Sequence, residues 1–595
     1  MRVRTPVSLA RTGARAIRGA FEAYRREFRR ITARARRRFE ERDWKGGQRD
    51  ATERLALYAQ FIDRVVGRLR RILGGDLRDV GTWRMMKPFF SDAIAGFRDG
   101  ELAQTFYNSV TRRVFTTVGV DPEIEFVDLD MRRDRYGPAA MIHRHHVRGA
   151  STRAMVAEAL APYAFAAPFR DREGDAGWVA AEMDAAWARK VAEQPLQSLD
   201  LIEAVFYRGS GAYLVGRLHG DGATLPVVVV LLHGDCGIEV DAVLLTEREV
   251  SIIFSFTRSH FLVDVERPAD ATLFLHSIMP KKPLPELYIS LGYSKHGKTE
   301  MYRDLLSHLG HSMDTFVHAR GEAGMVMIVF DLPSYQYVFK VIRDRFAAPK
   351  TNTRADVERR YRLVFQHDRA GRLIEAQEFE HLTFDRWRFS PELLAELASA
   401  TLSVTIDEKR VHIHHLYIER RVTPLNLYLR ESSEEAAAQV VEDYGQAIRD
   451  LATTNIFPGD LLLKNFGVTR HDRVTFYDYD ELTLVTECEF RDMPAARAID
   501  EELAAEPWFY VGEHDVFPEE FLPFLGLSGE LRRLFLDAHG EILTAAFWRK
   551  LQERHRAGEV LDVLPYPSSK RLGPRRALPG GASGEDEKRL RAEPG

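Results

Sequence analysis

Two cysteines, Cys236 and Cys488, in a chain of 595 residues exclude a disulfide framework and a cysteine-rich zinc site, and they fit a reducing, cytoplasmic setting. Long hydrophobic runs are missing as well. The longest, Leu225 to Leu232, is too short to cross a bilayer, and no secretory signal precedes it. Nor does one sign of charge prevail: 84 Lys and Arg stand against 88 Asp and Glu, so neither a nucleic-acid nor a membrane partner is expected. What remains, 45% hydrophobic and 29% charged residues, describes a globular chain long enough for at least two cores. One local imbalance stands out in the first fifty residues, where Arg2, Arg4, Arg11, Arg15, Arg18, Arg25, Arg26, Arg29, Arg30, Arg34, Arg36, Arg37 and Arg38 crowd together. Such a run could bind an anionic surface or act as a transit peptide; a solvated helix face paired with acids elsewhere is the favoured reading.

Apolar residues recur at three and four positions between 8 and 120 (Leu55, Phe61, Val65, Leu69, Leu73), which predicts helices. From 200 to 290 short β-rich runs follow: Leu201–Tyr207, Gly211–Leu218, Pro226–His233, Ile238–Leu245 and Ser251–Val263. A helix is predicted from Lys298 to Leu309. Further strands are expected at Met325–Asp331, Tyr335–Val341, Tyr361–His367 and Val411–Ile418, then a helix at Glu434–Ala452 and a mostly helical stretch to about 565. The polar tail from Pro567 reads as disordered.

The chemistry lies in Pro458-Gly459-Asp460-Leu461-Leu462-Leu463-Lys464-Asn465 and Phe476-Tyr477-Asp478-Tyr479-Asp480. An aspartate, an asparagine five residues on and an aspartate thirteen further is the spacing of a protein-kinase centre. There the first acid receives the acceptor hydroxyl, and the other two hold Mg²⁺ or Mn²⁺ on the phosphates of ATP. Upstream, the glycine turn Ala319-Arg320-Gly321-Glu322-Ala323-Gly324-Met325 precedes Lys340 in Val338-Phe339-Lys340, the order of a nucleotide loop and its phosphate-gripping strand lysine. Asp480 could share a face with Asp478 and position water for phosphate hydrolysis. A rival lies at Gly292-Tyr293-Ser294-Lys295-His296-Gly297-Lys298-Thr299, a full P-loop pattern after the strand-like Leu287–Leu291. It points to a nucleotide-sensing NTPase but leaves Lys340, Asp460, Asn465 and Asp478 unexplained. His412, His414 and His415 lack ligand-spaced partners for zinc, and His143, His145 and His146 read as a basic, anion-facing surface.

The segments Tyr293–Asp304, Tyr417–Asn426, Asn455–Asp460, Asn465–Arg470 and Phe476–Glu481 resemble the isocitrate dehydrogenase kinase/phosphatase family, and the resemblance runs from about residue 10 to 565. It implies an α+β chain: a helical and mixed regulatory domain over 1–310, then a bilobal kinase-like domain over 311–566. It also implies a bifunctional enzyme that phosphorylates a serine of isocitrate dehydrogenase and removes the phosphate at one nucleotide site, with ADP bound in the reverse mode. AMP and metabolites would act allosterically between the domains. The resemblance places the nucleotide at Ala319 to Met325 and Lys340, the adenine hinge at Glu419, and an activity-linked acid, commonly Asp, at Glu375. The partner is a folded protein, so a docking element is expected near 513–555, beginning around Trp508 to Phe517. A homodimer is left open. Pro458-Gly459 replaces the usual His-Arg, Asp478-Tyr479-Asp480 replaces Asp-Phe-Gly, and no glutamate identifies itself as the partner of Lys340.

Overall fold

The computed structural model describes residues 5–115, 121–127, 142–191, 194–255, 260–346, 353–367, 369–494 and 509–572. It opens on a helix, Pro6–Glu40, capped by the Thr5 hydroxyl and started by a proline at the first turn. Ala10, Ala14, Ile17, Phe21, Phe28 and Ile31 form its buried stripe against Trp44–Leu73, Val80–Ile94 and Gly100–Phe115. Most of its arginines lie on the outer face, where several pair with acids, Arg29 with Asp264 at 2.7 Å, and Arg34 and Arg38 with Asp50 at 2.8 Å each, while Arg25 is buried and bonds to Asp99. The basic run is therefore a helix face. No helix among the described residues is long and apolar enough to cross a membrane.

Beside this bundle lies an antiparallel sheet of His143–Val147, Ser198–Ile202, Phe206–Arg208, Gly211–Gly220, Ala223–Gly234 and Gly237–Leu244. Val227 to Leu231 are buried on both faces, between the bundle and the helices Thr152–Leu160 and Arg172–Lys190. Ser251–Val263 is not a strand, since Glu247–Ile253 is a helix with a Thr246–Glu249 capping box. Residues 256–259 lie outside the described residues. His143, His145 and His219 converge on the buried Asp200 (3.5, 2.7 and 2.9 Å), so the first two face an acid rather than forming a purely basic, anion-facing surface.

The second domain has two lobes. The smaller is a sheet with order Ala376–Asp385, Arg410–Arg420, Tyr337–Ile342, Met327–Asp331, Val317–His318. Tyr361–His367 belongs to a helix, Arg354–His367, which packs on this sheet through Tyr361 and Tyr417. After Arg420 the chain crosses at Thr423–Pro424, which pairs with Phe466–Val468 of the larger lobe. There Glu434–Thr453, Gly529–His539 and Ala545–Arg556 bury Tyr444, Phe535 and Trp548. The stretch expected to dock a partner thus contains part of this core: Trp548 is fully buried and stacks on Phe490 at 5.0 Å. Residues 567–572 are ordered, with Arg571 on Asp241 at 3.0 Å; the rest of the tail lies outside the described residues.

Candidate active site

The segment of Asp460 enters from the helix Glu434–Thr453, whose end is turned by Asn455 at φ 66°, a left-handed position that asparagine tolerates. Gly459 follows at φ 83°, and a Cβ there would lie 2.7 Å from the carbonyl oxygen of Glu481. This close approach explains why a glycine stands directly before Asp460. Asp460 accepts a hydrogen bond from the amide of Leu462 at 2.9 Å, which fixes the carboxylate at the loop's start. The apolar run Leu461–Leu463 forms no strand; the chain runs through a single 3₁₀ turn, Leu463–Asn465, and the hairpin is Phe466–Val468 with Val474–Phe476.

This hairpin brings the oxygen donors together. Phe466 faces Phe476, and one step on, the amide of Tyr477 donates to the carbonyl of Asn465 at 3.1 Å. Asp478 therefore follows directly on the residue opposite Asn465. Asn465 and Asp480 are buried. An amide oxygen and a carboxylate, with positions left for phosphate oxygens, fit a hard cation such as Mg²⁺ or Mn²⁺. Among the described residues no three His, Cys, Asp or Glu side chains form a metal-binding group. His412 and His415 face acids instead, Asp407 at 3.1 Å and Glu378 at 2.9 Å.

Above the hairpin, Lys340 lies in its strand opposite Tyr417, two residues from Glu419 on the same face. Its ammonium is 2.7 Å from Glu419 and donates to the Tyr477 carbonyl at 2.8 Å. Tyr361 donates to the other oxygen of Glu419 at 3.2 Å. Burial pushes the Glu419 carboxyl up, while Lys340 and Tyr361 pull it back toward the ionised form. The side chain of Glu419 thus has a role the sequence reading did not assign: it is the partner of Lys340 for which no helical glutamate could be named. The loop Ala319 to Met325 connects the strands Val317–His318 and Met327–Asp331, with Gly321 at φ 125°. It reaches across the cleft, Glu322 to Lys464 at 3.2 Å and Arg320 to Glu431 at 2.6 Å.

Glu375 approaches from a third side. The segment before it runs parallel to the hairpin: the amide of Phe476 donates to the Arg372 carbonyl at 2.7 Å, and that of Ile374 to the Phe476 carbonyl at 3.2 Å. Glu375 follows next and accepts a hydrogen bond from the side chain of Gln377. Sequence reasoning missed the support beneath. The buried Arg372 grips Asp443 and Asp450, and only its setting within an apolar run could have marked it.

The P-loop pattern forms no phosphate-cradling loop. Leu284–Ser290 is a helix, and Ser294–His311 is a second one that begins inside the motif, where the Gly297 amide is already bonded to the Tyr293 carbonyl at 2.9 Å. Gly297 serves helix packing: a Cβ would stand 2.6 Å from the carbonyl oxygen of Pro285.

A two-lobed domain with a glycine turn, a strand lysine paired to glutamate and an Asp–Asn–Asp set on a hairpin is a protein-kinase-like phosphotransferase. The regulatory-domain model of isocitrate dehydrogenase kinase/phosphatase (AceK) matches residues 14–313, and the kinase-domain model matches residues 314–568. An isocitrate dehydrogenase kinase/phosphatase of Anaeromyxobacter sp. (strain Fw109-5) is 54% identical, over 95% of this chain and 99% of that protein. Its counterpart in Xanthomonas euvesicatoria pv. vesicatoria (strain 85-10) is 47% identical over 94% and 97%. The chain belongs to the isocitrate dehydrogenase kinase/phosphatase family.

Proposed function

We propose that this chain is a bifunctional ATP-dependent protein-serine kinase and phosphoprotein phosphatase acting on isocitrate dehydrogenase. The observation that carries the reading is the convergence of Lys340, with its Glu419 partner, on the hairpin of Asn465 and Asp478. Lys340 would grip the α- and β-phosphates of ATP, and the loop Ala319 to Met325 would cover them. Asn465 and Asp478 would hold Mg²⁺ or Mn²⁺, which when bound neutralises phosphate oxygens. Asp460 would orient the incoming serine hydroxyl and receive its proton, so that catalysis rests on positioning and charge stabilisation. Asp480 would position water when phosphoserine is hydrolysed with ADP in the cleft. Glu375, beside the same hairpin, is assigned to this centre as well, and the backbone around Glu419 to the adenine.

AMP we place in the cavity of about 400 Å³ between the domains, where Lys282, Arg420, Arg470 and Arg473 face Glu286 and Glu375. An Arg470→Ala variant should lose its response to AMP and keep its AMP-free rate; an unchanged response would exclude this site. Labelled ATP, Mg²⁺ and isocitrate dehydrogenase test the catalytic reading. Asp460→Asn should lower transfer by about 10²–10⁴-fold with nucleotide affinity kept, and Lys340→Ala should weaken nucleotide binding. Undiminished transfer by Asp460→Asn would overturn it.

A further inference from the structure

Two ammonium groups face the cleft, and each meets a carboxylate of a different kind. Lys340 pairs with Glu419 where both side chains are buried, 7% and 1% exposed, and strand register fixes the contact. Lys464 pairs with Glu322 at 3.2 Å, where the side chains are 39% and 58% exposed. The buried pair is held, because parting it strands a charge away from water. The exposed pair is weak and readily exchanged.

Lys464 stands between Asp460 and Asn465, directly before the proposed metal ligand. Tyr477 links the two cations: its carbonyl accepts from Lys340 at 2.8 Å, and its hydroxyl donates to the Lys464 carbonyl. Glu322 comes from the other lobe, as the central residue of the nucleotide loop Ala319 to Met325. Asn426 adds a second donor to its carboxylate, Nδ2 to Oε1 at 3.4 Å. One carboxylate thus gathers an ammonium and an amide, donors that suit a phosphate oxygen equally well. Its charge reaches further. Burial first, then Asp478, Glu419 and Glu322, push the Tyr477 hydroxyl up, so the carboxylate of Glu322 is felt beside the second metal ligand. An acid at the centre of a loop that covers phosphates opposes their charge.

We propose that Glu322 is a specificity-determining residue: its carboxylate stands in for a terminal phosphate on Lys464, and so favours ADP over ATP in the cleft. The inference rests on the nucleotide reading given above. ADP leaves the pair of Glu322 and Lys464 intact. ATP must take Lys464 for its third phosphate and then bear the displaced carboxylate beside it. The kinase direction consumes ATP and the phosphatase direction runs with ADP, so this one charge tilts the enzyme toward removal of phosphate.

Titration calorimetry on the full chain with Mg²⁺ tests this, using ADP and the non-hydrolysable β,γ-imido analogue of ATP. Glu322→Gln keeps the shape and removes the charge. The ratio of analogue affinity to ADP affinity should rise about fivefold or more, as the loss of a like charge close to a phosphate requires. Glu322→Asp should keep most of the wild-type ratio. Arg320→Gln removes the loop's other cross-cleft pair, to Glu431, and should not raise the ratio; a role confined to anchoring the loop would make it follow Glu322→Gln. With isocitrate dehydrogenase as substrate and ATP and ADP at equal concentration, Glu322→Gln should raise the kinase rate relative to the phosphatase rate. Because the pair is exposed, Glu322→Gln should melt with the wild type. Failure of the wild type to bind either nucleotide would overturn the nucleotide reading and this inference with it. Binding of both, with the ratio unchanged in Glu322→Gln or raised equally in Arg320→Gln, would overturn this inference alone.

Discussion

The guanidinium of Arg372 holds Asp443 through two hydrogen bonds, 2.8 and 2.9 Å, and Asp450 through a third at 2.7 Å. Asp443 in turn accepts the amide of Val474 at 2.6 Å, and the Arg372 carbonyl accepts that of Phe476. One buried ion cluster thus fixes the strand that delivers Asp478. Arg372→Met should leave two acids without their cation, destabilise the large lobe by about 3–5 kcal/mol, and lower the transfer rate. Urea unfolding of the variant checks the first effect, and steady-state kinetics the second.

Replacing Glu419 by Gln should keep the shape of the pocket and remove the charge that orients Lys340. The Michaelis constant for ATP should rise about tenfold or more, as the loss of a charged hydrogen bond worth about 1.5–3 kcal/mol requires. Tyr361→Phe should give the same trend with a smaller rise.

Asp480 distinguishes the two directions of phosphate transfer. Asp480→Ala should reduce phosphatase activity far more than kinase activity on the same protein substrate. A parallel fall, or none, would remove Asp480 from the water-positioning role.

A pH effect follows from His296. It is buried against Tyr288 at 4.5 Å and bonded to Thr105 at 2.8 Å, and burial holds it down to about 3. The folded chain keeps this ring neutral while the unfolded chain protonates near 6.5, so stability is fully present above 6.5 and declines as pH falls toward 3. Melting temperatures between pH 7 and 5 should drop, and His296→Gln should flatten the decline.

Docking of isocitrate dehydrogenase should depend on the exposed Tyr510 and Phe524, not on the buried helices behind them. Ala at both positions should lower phosphorylation of the protein while leaving nucleotide affinity unchanged, by filter assay and calorimetry. Deleting 513–555 should instead unfold the large lobe, since it removes Phe535 and Trp548.

Spacing made Asp460, Asn465 and Asp478 legible, because a turn and a hairpin fix how far apart such residues lie in the chain. Lys340 was legible from its place in an apolar strand after a glycine turn. Glu419 as its partner was not, because only strand register places residue 419 near residue 340. Tyr361 was misplaced in a strand: aromatic and β-branched residues mark burial as much as they mark strands. The P-loop pattern is a decoy because its glycine is needed for helix packing, a demand that leaves the same letters as a phosphate cradle.

In kinases whose strand lysine pairs with a glutamate on a mobile helix, swinging the helix away idles the enzyme. Here both partners sit on adjacent hydrogen-bonded strands, so no helix movement can draw them apart. That off-switch is closed to this chain. An enzyme that must reverse direction rather than stop would keep its hold on nucleotide constant, and steer by what reaches the far end of the cleft.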